Sequence, residues 1–510
     1  MASHVPRSFD ETFDVVVAGY GFAGGAAAIA AAEAGARVLL IEKMPVPGGI
    51  SICAGGGVRI ASDPDKAYAY LRATNAGTTP DAHLRVFADA MCNFVPYFES
   101  LAKTNGAKLA LRERSANYPL PGHETFSFIE VESIPGFDAK RDYPHAHALK
   151  AGPIVFRLVE DNVRARNVEV RLATAATRLV TDETGRVIGL ETASGGRSRA
   201  IAARGGVILA CGGFEAGAEL QRQHWQFHPV LSASTRGNTG DGIRMAQAVG
   251  ADLWHMWHMH GTYGFRHPDP AYPFGIRTKR LPDWVPGVRP ADVRMPWILL
   301  DRNGQRFANE YEPYLQDTGH RALDRYDATT QTLPNVPAWL LVDEDGRQCY
   351  PLAKAIHNDA EIAPYEWSAD NLKEVENGLL QRADSVEGLA RILGVPQAVL
   401  SASLDRWNAA CAAKTDDPFG RPDATRMPIE RPPFYVGQVW PVVSNTQGGP
   451  VHDAQSRVLN PFGEVIPGLY VAGELGSIWG YLYLSGGNLA ECFISGRAAG
   501  EDAARIAKGR

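Results

Sequence analysis

The sequence predicts an α/β fold in which one domain is built from both ends of the chain and is interrupted by an insertion. Near the amino terminus, a buried strand, a glycine-rich turn and an Ala-rich helix follow one another over residues 13–34. Near the carboxyl terminus, a strand over 466–474 ends in glycine and glutamate, and a helix opens at about 485. Alternation of strands and helices predicts a parallel sheet covered by helices. Because no further glycine-rich strand–turn–helix signals of this kind occur between about 250 and 440, we expect the insertion there.

Length, charge and cysteine content exclude several classes of protein. A chain of 510 residues is longer than one hydrophobic core typically supports, so two or more domains are expected. Its formal net charge of −6 gives no electrostatic reason to expect binding to nucleic acid or to an anionic membrane. Six cysteines occur without a Cys-x-x-Cys pair, which favours a reducing cytoplasm over a disulfide framework or a zinc site. The 18 uncharged residues 15–32 contain four glycines, so we expect no stable membrane insertion.

The glycine-rich turn has the spacing of a dinucleotide-binding motif. Gly19, Gly21 and Gly24 separate the strand 13–18 from the helix that follows. In such a motif the first glycine makes the tight turn, the second lets the backbone approach a pyrophosphate, and the third allows close helix–strand packing. The free amides of the helix then face the phosphates. This pattern predicts a Rossmann-like domain.

The second strand ends at Glu42 and Lys43. Glu42 follows Gly19 by 23 residues, the position at which a carboxylate accepts hydrogen bonds from the hydroxyls of a ribose. We therefore expect both residues at the nucleotide.

Four further segments favour a flavin over a nicotinamide. A loop containing Gly49 and Ser51 follows Glu42, and another buried strand runs through Ala210 into glycines. A glutamate at position 474 is suited to the ribityl hydroxyls, and the helix amides at Asn488 and Leu489 are suited to negative charge on the flavin N1/O2 edge. These segments predict FAD as the cofactor.

Motifs along the chain resemble those of the flavoproteins grouped with soluble fumarate reductases and 3-ketosteroid dehydrogenases. They comprise 240–246, which contains the predicted cofactor residue Asp241, and 304–310, 382–390 and 445–449. The resemblance implies an FAD domain built from 1–258 and 430–510, a capping substrate domain at 259–429, and a flavin at their junction. Members with covalently bound flavin carry a histidine in the loop that is 48–53 here. Since this loop has none, we expect noncovalent FAD, with Cys53 as the alternative attachment point.

The carboxyl-terminal motif distinguishes the two branches of this family. Fumarate reductases carry approximately H-G-A-N-R-L-G-G-N, whereas this chain has Trp479 at the histidine and a tyrosine at the arginine. The loss of these groups weakens the case for a small dicarboxylate. The replacement is similar to the 3-ketosteroid dehydrogenases, especially those acting at the 4,5-bond. That similarity implies that Tyr483 and the amide of Gly487 hold the ketone oxygen, with Ser485 assisting proton transfer.

A second tyrosine comes from the predicted cap. The stretch 309–314 is similar to a ketosteroid-enzyme segment in which Pro-Tyr follows Asn-Glu, which implies Tyr314 as the acid/base, with Tyr311 as the alternative. Tyr118 matches another tyrosine-bearing loop more loosely. His255, His258 and His260 lack zincin spacing, so we expect no metal and assign them to packing, with a proton role open for one of them.

Together these features predict an FAD-dependent oxidoreductase that introduces or reduces a C=C bond α,β to a ring ketone. Its hydride would be exchanged with flavin N5, and its partners would be a steroid or cyclohexanone-type ketone and an electron acceptor or donor that the sequence does not identify. Two alternatives remain: a fumarate- or urocanate-like reductase of an unsaturated carboxylate, and a flavoprotein that only transfers electrons or binds.

Overall fold

The computed structural model describes residues 8–284, 286, 293–414 and 417–509. The α-helices in this part are α1 (Phe22–Glu33), α2 (Pro64–Asn75), α3 (Asp81–Cys92), α4 (Val95–Ala102), α5 (Ala139–Asp142), α6 (Gly152–Ala165), α7 (Ala218–His224), α8 (Asp241–Ala248), α9 (Leu315–Thr318), α10 (Glu344–Cys349), α11 (Lys373–Glu376), α12 (Val386–Leu393), α13 (Gln397–Ala413) and α14 (Gly487–Ala507). Among these residues, no helix is both long and apolar enough to cross a membrane.

The β-strands of the same residues form two large sheets and three small ones. They are β1 (Glu11–Ala18), β2 (Val38–Ile41), β3 (Val58–Ala61), β4 (Lys108–Glu113), β5 (Phe126–Ser133), β6 (Ala146–His147), β7 (Glu169–Arg171), β8 (Ala175–Thr181), β9 (Val187–Ser194), β10 (Arg197–Leu209), β11 (Leu231–Ser232), β12 (Leu253–Trp254), β13 (Met259–Arg266), β14 (Gly275–Thr278), β15 (Ile298–Leu300), β16 (Ala338–Val342), β17 (Ala353–Lys354), β18 (His357–Asn358), β19 (Gln381–Ala383), β20 (Phe434–Thr446), β21 (Gly449–Pro450), β22 (Arg457–Leu459) and β23 (Val465–Val471).

The first large sheet joins the two ends of the chain. Its order is β22-β23-β10-β1-β2-β7, with β9 pairing with β10 and β8 pairing with β9. The central strands β23, β10, β1, β2 and β7 are parallel. Residues 15–18 of β1 and 38–41 of β2 are all buried, as expected for parallel strands with both faces covered. The predicted α/β fold, with amino- and carboxyl-terminal segments in one domain, is confirmed.

Helices α1 and α14 pack closely along one side of this sheet. A Cβ at Gly496 would lie 2.5 Å from the carbonyl oxygen of Ala23, and one at Gly500 would lie 2.3 Å from that of Ala27. Glycine in α14 and alanine in α1 therefore allow the two backbones to approach. Helix α1 is thus held in place by its close packing against α14.

The second large sheet has the order β15-β16-β20-β13-β14-β17, with β11 and β19 also paired with β20. Its core contains the fully buried side chains of Trp297 and Tyr263, whose indole and hydroxyl groups hydrogen-bond at 3.0 Å. Strand β20 comes from the carboxyl-terminal side of the predicted boundary at 429/430, so this sheet draws strands from both sides of it. The division into domains stays a prediction.

The two large sheets meet at the ends of their strands. Strands β10 and β23 of the first sheet end at Leu209 and Val471, and β13 pairs with β20 in the second, with His260 opposite Asn445. Ligands of open α/β sheets bind outside the carboxyl ends of the parallel strands. A cavity lies at this junction.

Candidate active site

The junction cavity has a volume of about 460 Å³. Most of the residues predicted from the sequence line it, and they are Gly19, Gly21, Glu42, Lys43, Gly49, Ser51, Ala210, Asp241, Glu474, Asn488, Leu489, Tyr314, Tyr483 and Ser485. Gly24 and Gly487 lie outside its lining. The cofactor and catalytic residues predicted from distant segments therefore share one cavity.

The glycine turn before α1 has the predicted steric roles. Gly19 has a φ of +105°, and a Cβ there would lie 2.2 Å from the carbonyl oxygen of Ala210. A Cβ at Gly24 would lie 1.8 Å from the carbonyl oxygen of Gly19, so this position needs glycine for packing. Gly21 lines the cavity as the N-cap of α1 and has no capping side chain. The positive end of this helix thus faces the cavity, as phosphate binding requires.

Glu42 is held at the end of β2 by two backbone amides. Tyr20 N donates to Oε2 at 2.9 Å, and Met44 N donates to Oε1 at 2.8 Å. Burial raises the pKa of Glu42, and these amides oppose the rise. The carboxylate is therefore oriented before any ligand arrives, at the position predicted for a ribose partner.

Glu42→Ala should weaken FAD retention by roughly 1.5–3 kcal/mol, the range for charge-assisted hydrogen bonds. Retention is measured by equilibrium dialysis of the purified protein against FAD. Glu169→Ala is a matched control, because Glu169 is exposed on the neighbouring strand β7 and lies outside the cavity. Equal FAD affinity in Glu42→Ala and the wild type would show that the ribose carboxylate is misassigned.

Lys43 and Asp241 contact each other. Lys43 Nζ lies 2.6 Å from Asp241 Oδ2 and 2.8 Å from Thr239 Oγ1. The pair closes the cavity wall between β2 and the start of α8. Direct contact of either residue with the cofactor stays a prediction.

Glu474 forms a buried pair with Glu215, a residue that sequence reasoning did not select as a site residue. Thr446 N donates to Glu474 Oε1 at 2.8 Å, and Asn238 Nδ2 bridges the two carboxyl groups at 3.1 and 3.4 Å. Burial raises the pKa of both groups, and Glu215 raises that of Glu474 further. Two adjacent buried carboxyl groups resist joint ionisation, so this pair holds a proton near neutral pH.

Stability should therefore depend on pH through this pair. A carboxyl pKa raised by folding contributes stability that is complete below the unfolded pKa, and this is lost as the pH rises through the raised pKa of the folded pair. Between about pH 5 and pH 8, the Tm of the FAD-loaded wild type should fall more steeply than that of Glu215→Gln. Glu219→Gln, at an exposed glutamate, is the control and should keep the wild-type slope. Parallel slopes in all three proteins would contradict the shared proton.

Unpaired polar atoms and open glycines show that the cavity fits a large polar ligand. Among the described residues, Ser444 Oγ, Asn445 Nδ2 and Asn488 Oδ1 are buried without a hydrogen-bond partner, and all three residues line the cavity. A Cβ at Gly49 or Gly55 would meet nothing within 4 Å. With the α1 amides for phosphate, Glu42 for ribose and Glu474 for ribityl hydroxyls, the residues present fit FAD.

The attachment of FAD should be noncovalent. Cys53 lines the cavity, but burial raises the pKa of its thiol and keeps it protonated and unreactive. Acid precipitation of the yellow protein should release FAD into the supernatant, measured by its absorbance. Flavin that stays with the pellet would contradict this expectation.

Tyr483 lies in the segment that precedes α14, and backbone amides hold its hydroxyl. Gly486 N donates to the hydroxyl at 3.0 Å, and Asn488 N donates to it at 3.4 Å. Burial raises the pKa of Tyr483, so it is protonated at neutral pH, and the two amides act in the opposite direction. Because the oxygen accepts these bonds, its own hydrogen is free to be donated into the cavity.

The predicted role of the Gly487 amide does not fit this arrangement. That amide donates to the carbonyl oxygen of Leu484 at 2.7 Å, which closes a turn in front of α14. Gly486, with a φ of +78°, turns the chain there. The amides that contact the Tyr483 hydroxyl are consequently those of Gly486 and Asn488.

Tyr314, and not Tyr311, lines the cavity. Tyr311 donates its hydroxyl to the carbonyl of Pro282 at 3.0 Å. Burial raises the pKa of Tyr314 to about 12, whereas Arg280 and the neighbouring Ser485 side chain oppose the rise. The rings of Tyr314 and Tyr483 lie 6.4 Å apart. The phenol of Tyr314 is thus a protonated group beside Tyr483 and Ser485.

A buried aspartate at the end of α9 organises the aromatic wall. Asp317 accepts from the Tyr118 hydroxyl at 2.6 Å and from Tyr483 N at 2.9 Å, and His260 Nδ1 lies 3.4 Å away. Burial raises the pKa of Asp317, but the hydrogen bond with His260 and the charge of Arg321 help to lower it to about 2 overall. Tyr118 therefore uses its hydroxyl to hold Asp317.

The three histidines of the 254–260 segment have different surroundings. His255 contacts the backbone oxygens of Ser477 and Thr78, and His258 contacts that of Trp479, so both join segments of the chain. His260 lines the cavity with its ring 4.3 Å from that of Tyr483. In the part of the chain that the structure describes, no group of three or more potential ligands is arranged for a metal ion.

Three arginines of the cavity wall were missed by sequence reasoning. Arg114, Arg277 and Arg280 line the same cavity as Tyr314 and Tyr483. Arg277 is the most conspicuous of the three, because it is a charged residue in strand β14, whose four residues are all buried. Which residues surround it depends on the pairing of β14 with β13, which the local sequence does not specify.

Comparisons with known proteins agree with this geometry. The family model described as FAD binding domain matches residues 14–489. The chain is 28% identical to 3-oxosteroid 1-dehydrogenase of Mycolicibacterium smegmatis, over 98% of both chains. It is 26% identical to fumarate reductase (cytochrome) of Shewanella frigidimarina, over 98% of this chain and 78% of the relative. The crystal structure of 3-ketosteroid delta1-dehydrogenase from Sterolibacterium denitrificans in complex with 1,4-androstadiene-3,17-dione shares the fold, with a TM-score of 0.79, 24% identity and coverage of 98% and 100%.

Proposed function

The chain belongs to the FAD binding domain family, and from that premise we propose that it introduces or reduces the C=C bond α,β to a ring ketone. It is an FAD-dependent oxidoreductase, and its relatives are dehydrogenases and reductases that act on carbon–carbon bonds. The relatives named above include both steroid-ketone and fumarate enzymes. The observation that carries the proposal is the Tyr483 hydroxyl, which is buried and polarised by amides at the cavity wall.

Tyr483 would hold the ketone oxygen of the substrate. A C–H bond α to a ketone becomes acidic only when the developing enolate oxygen is stabilised by a donor that is already oriented. The hydroxyl of Tyr483 accepts bonds from Gly486 N and Asn488 N at the positive end of α14, which strengthens it as a donor. Its burial keeps competing water away from the oxygen.

Tyr314 and Ser485 would move the proton at the α carbon. With a pKa of about 12, Tyr314 is a protonated acid suited to the reductive direction. In the oxidative direction the base would be the Tyr314 phenolate, which the charge of the nearby Arg280 stabilises, and accepting the α proton returns it to the phenol. FAD, when bound, exchanges the hydride at the β carbon. The electron partner outside the active site would be a separate acceptor or donor, and we propose a cytoplasmic location from the unpaired cysteines.

Anaerobic titration of the FAD-loaded protein tests this proposal. Ring ketones, from cyclohexanones to 3-ketosteroids, should bleach the flavin absorbance, and the conjugated ketone should be recovered as the product. For a protein poised in the reductive direction, the chemically reduced flavin should instead be reoxidised by the conjugated ketone. If fumarate changes the flavin spectrum and no ring ketone does so in either direction, the proposal is wrong.

A second candidate function is supported by the arginines of the cavity wall. Arg277, Arg280 and Arg114 give this wall a positive charge suited to a carboxylate. These groups favour a reductase of an unsaturated carboxylate, even though the carboxyl-terminal motif lacks the expected histidine and arginine. Fumarate in the same titration distinguishes this candidate from the first.

A further inference from the structure

Arg277 is a buried arginine with unsatisfied hydrogen-bonding capacity. Its exposed fraction is 9%, and it lies within β14, with its Cα opposite Gly264 of β13 and Lys354 of β17. One guanidinium nitrogen, Nη2, donates to Oε1 of Gln316. Among the described residues, its Nε is buried without a hydrogen-bond partner, and no acidic side chain forms an ion pair with it. The guanidinium therefore has only a neutral amide as its side-chain partner.

A charged guanidinium that is buried and incompletely hydrogen-bonded is energetically unfavourable. Burial of a charge is strongly unfavourable unless an opposite charge or hydrogen bonds compensate it, and buried arginines are normally paired. Burial and the nearby Arg280 together lower the pKa of Arg277 to about 10, so the group still carries its charge at neutral pH. A charged, incompletely bonded donor that lines a cavity is suited to an anionic ligand.

The neighbouring charges do not neutralise it. Arg280 Nη2 and Arg114 Nη2 both donate to the same oxygen of Asp283, at 3.0 and 2.9 Å. One carboxylate is thus shared by two guanidinium groups, and 34% of the Arg280 side chain is exposed. Three arginines and one aspartate leave an excess of positive charge on this wall.

This wall lies at the catalytic end of the cavity. Gln316, which accepts from Arg277, precedes Asp317, and Asp317 accepts from Tyr483 N at 2.9 Å. The charge of Arg280 acts on the phenols of Tyr314 and Tyr483. The phosphate-binding turn at Gly19–Gly24 belongs instead to the first sheet and α1. Arg277 is therefore placed for the substrate and not for the FAD phosphates.

We propose that Arg277, with Arg280 beside it, binds a carboxylate group of the substrate, which is consequently a ring ketone that also carries a carboxylate. The ketone part rests on the proposed function, whereas the carboxylate part rests on the unpaired guanidinium. The anion-binding position on β14 replaces the His and Arg that the carboxyl-terminal motif lacks.

The wild-type protein gives the first test and needs no variant. Ligand binding to the oxidised, FAD-loaded protein is followed by the change in the flavin spectrum. The ligands are a cyclohexanone carboxylate, its uncharged methyl ester, and a cyclohexanecarboxylate without the ketone. The free acid should bind about 10- to 100-fold more tightly than the ester, as expected for a charge-assisted bidentate contact. Equal affinity of the acid and the ester would overturn the proposal.

The variants assign the effect to Arg277. Arg277→Gln should remove the preference for the acid and leave the affinity for the ester within about twofold, whereas Arg277→Lys should retain part of the preference. Arg266→Gln is the matched control, because Arg266 is exposed at the end of the neighbouring strand β13 and loses the same charge outside the cavity. If Arg277→Gln alters the flavin reduction potential but keeps the wild-type preference for the acid, Arg277 serves the flavin and the proposal is wrong.

The two proposals fail in different ways. Arg277-dependent binding of cyclohexanecarboxylate, in a protein whose flavin no ring ketone reduces and no conjugated ketone reoxidises, would support the carboxylate site and contradict the ketone chemistry. Reduction of the flavin by neutral ketones at the same rate and affinity as by their acids would support the ketone chemistry and contradict the carboxylate site.

Discussion

Tyr314→Phe should slow proton transfer at the substrate α carbon by about 10²–10⁴-fold, the usual contribution of a general acid or base. The variant keeps the buried ring that packs beside His260 and Tyr483, so folding and FAD content should be unchanged. The rate is measured by stopped-flow absorbance of the flavin with a ring ketone, or with the conjugated ketone for the reduced protein.

The control for Tyr314 is three residues away. Tyr311 donates to the Pro282 carbonyl and lies outside the cavity lining, so Tyr311→Phe should keep the wild-type rate. A loss of rate in Tyr311→Phe with an active Tyr314→Phe would reverse the assignment of the two tyrosines.

Tyr483→Phe should slow the chemical step by about 10²–10³-fold, the usual cost of removing one oxyanion donor. Ketone binding should weaken much less, because the hydrogen bond strengthens mainly as the enolate forms. Single-turnover flavin kinetics separate the two effects through the dependence of the rate on ketone concentration. Tyr481→Phe, at an exposed tyrosine two residues earlier, serves as the control.

A near-wild-type rate for Tyr483→Phe on a ring ketone would show that another group polarises the carbonyl. A parallel loss of binding and rate would instead show that Tyr483 stabilises the ground state and the transition state equally.

Local sequence was sufficient to predict the strand–turn–helix unit at the amino-terminal end of the described chain. Gly19, Gly21 and Gly24 have roles set by backbone sterics within one strand–turn–helix unit, and Glu42 follows at a fixed position on the next strand. Such units keep their geometry because each step depends on residues close in sequence. The confirmed FAD family and fold follow from these patterns.

The catalytic end was less predictable because it depends on contacts between distant segments. Family motifs indicated Tyr483 and Tyr314, but the hydrogen bond from the Gly487 amide to Leu484 depends on a turn whose closure the motif does not reveal. Arg277 reaches the cavity through the pairing of β14 with β13. Glu215 meets Glu474 through the alignment of the ends of β10 and β23. These partners come from tertiary structure, so spacing along the chain could not identify them.

The central claim is that the Tyr483 hydroxyl polarises the carbonyl of a ring ketone, and the vibration of that carbonyl tests it most directly. A conjugated ring ketone labelled with ¹³C at the carbonyl is bound to the oxidised FAD-loaded protein, and its C=O stretch is measured by isotope-edited infrared difference spectroscopy. We expect a lower stretching frequency in the wild type than in Tyr483→Phe, with Tyr481→Phe equal to the wild type. The same carbonyl frequency in the wild type and Tyr483→Phe, with the ketone bound in both, would contradict the account.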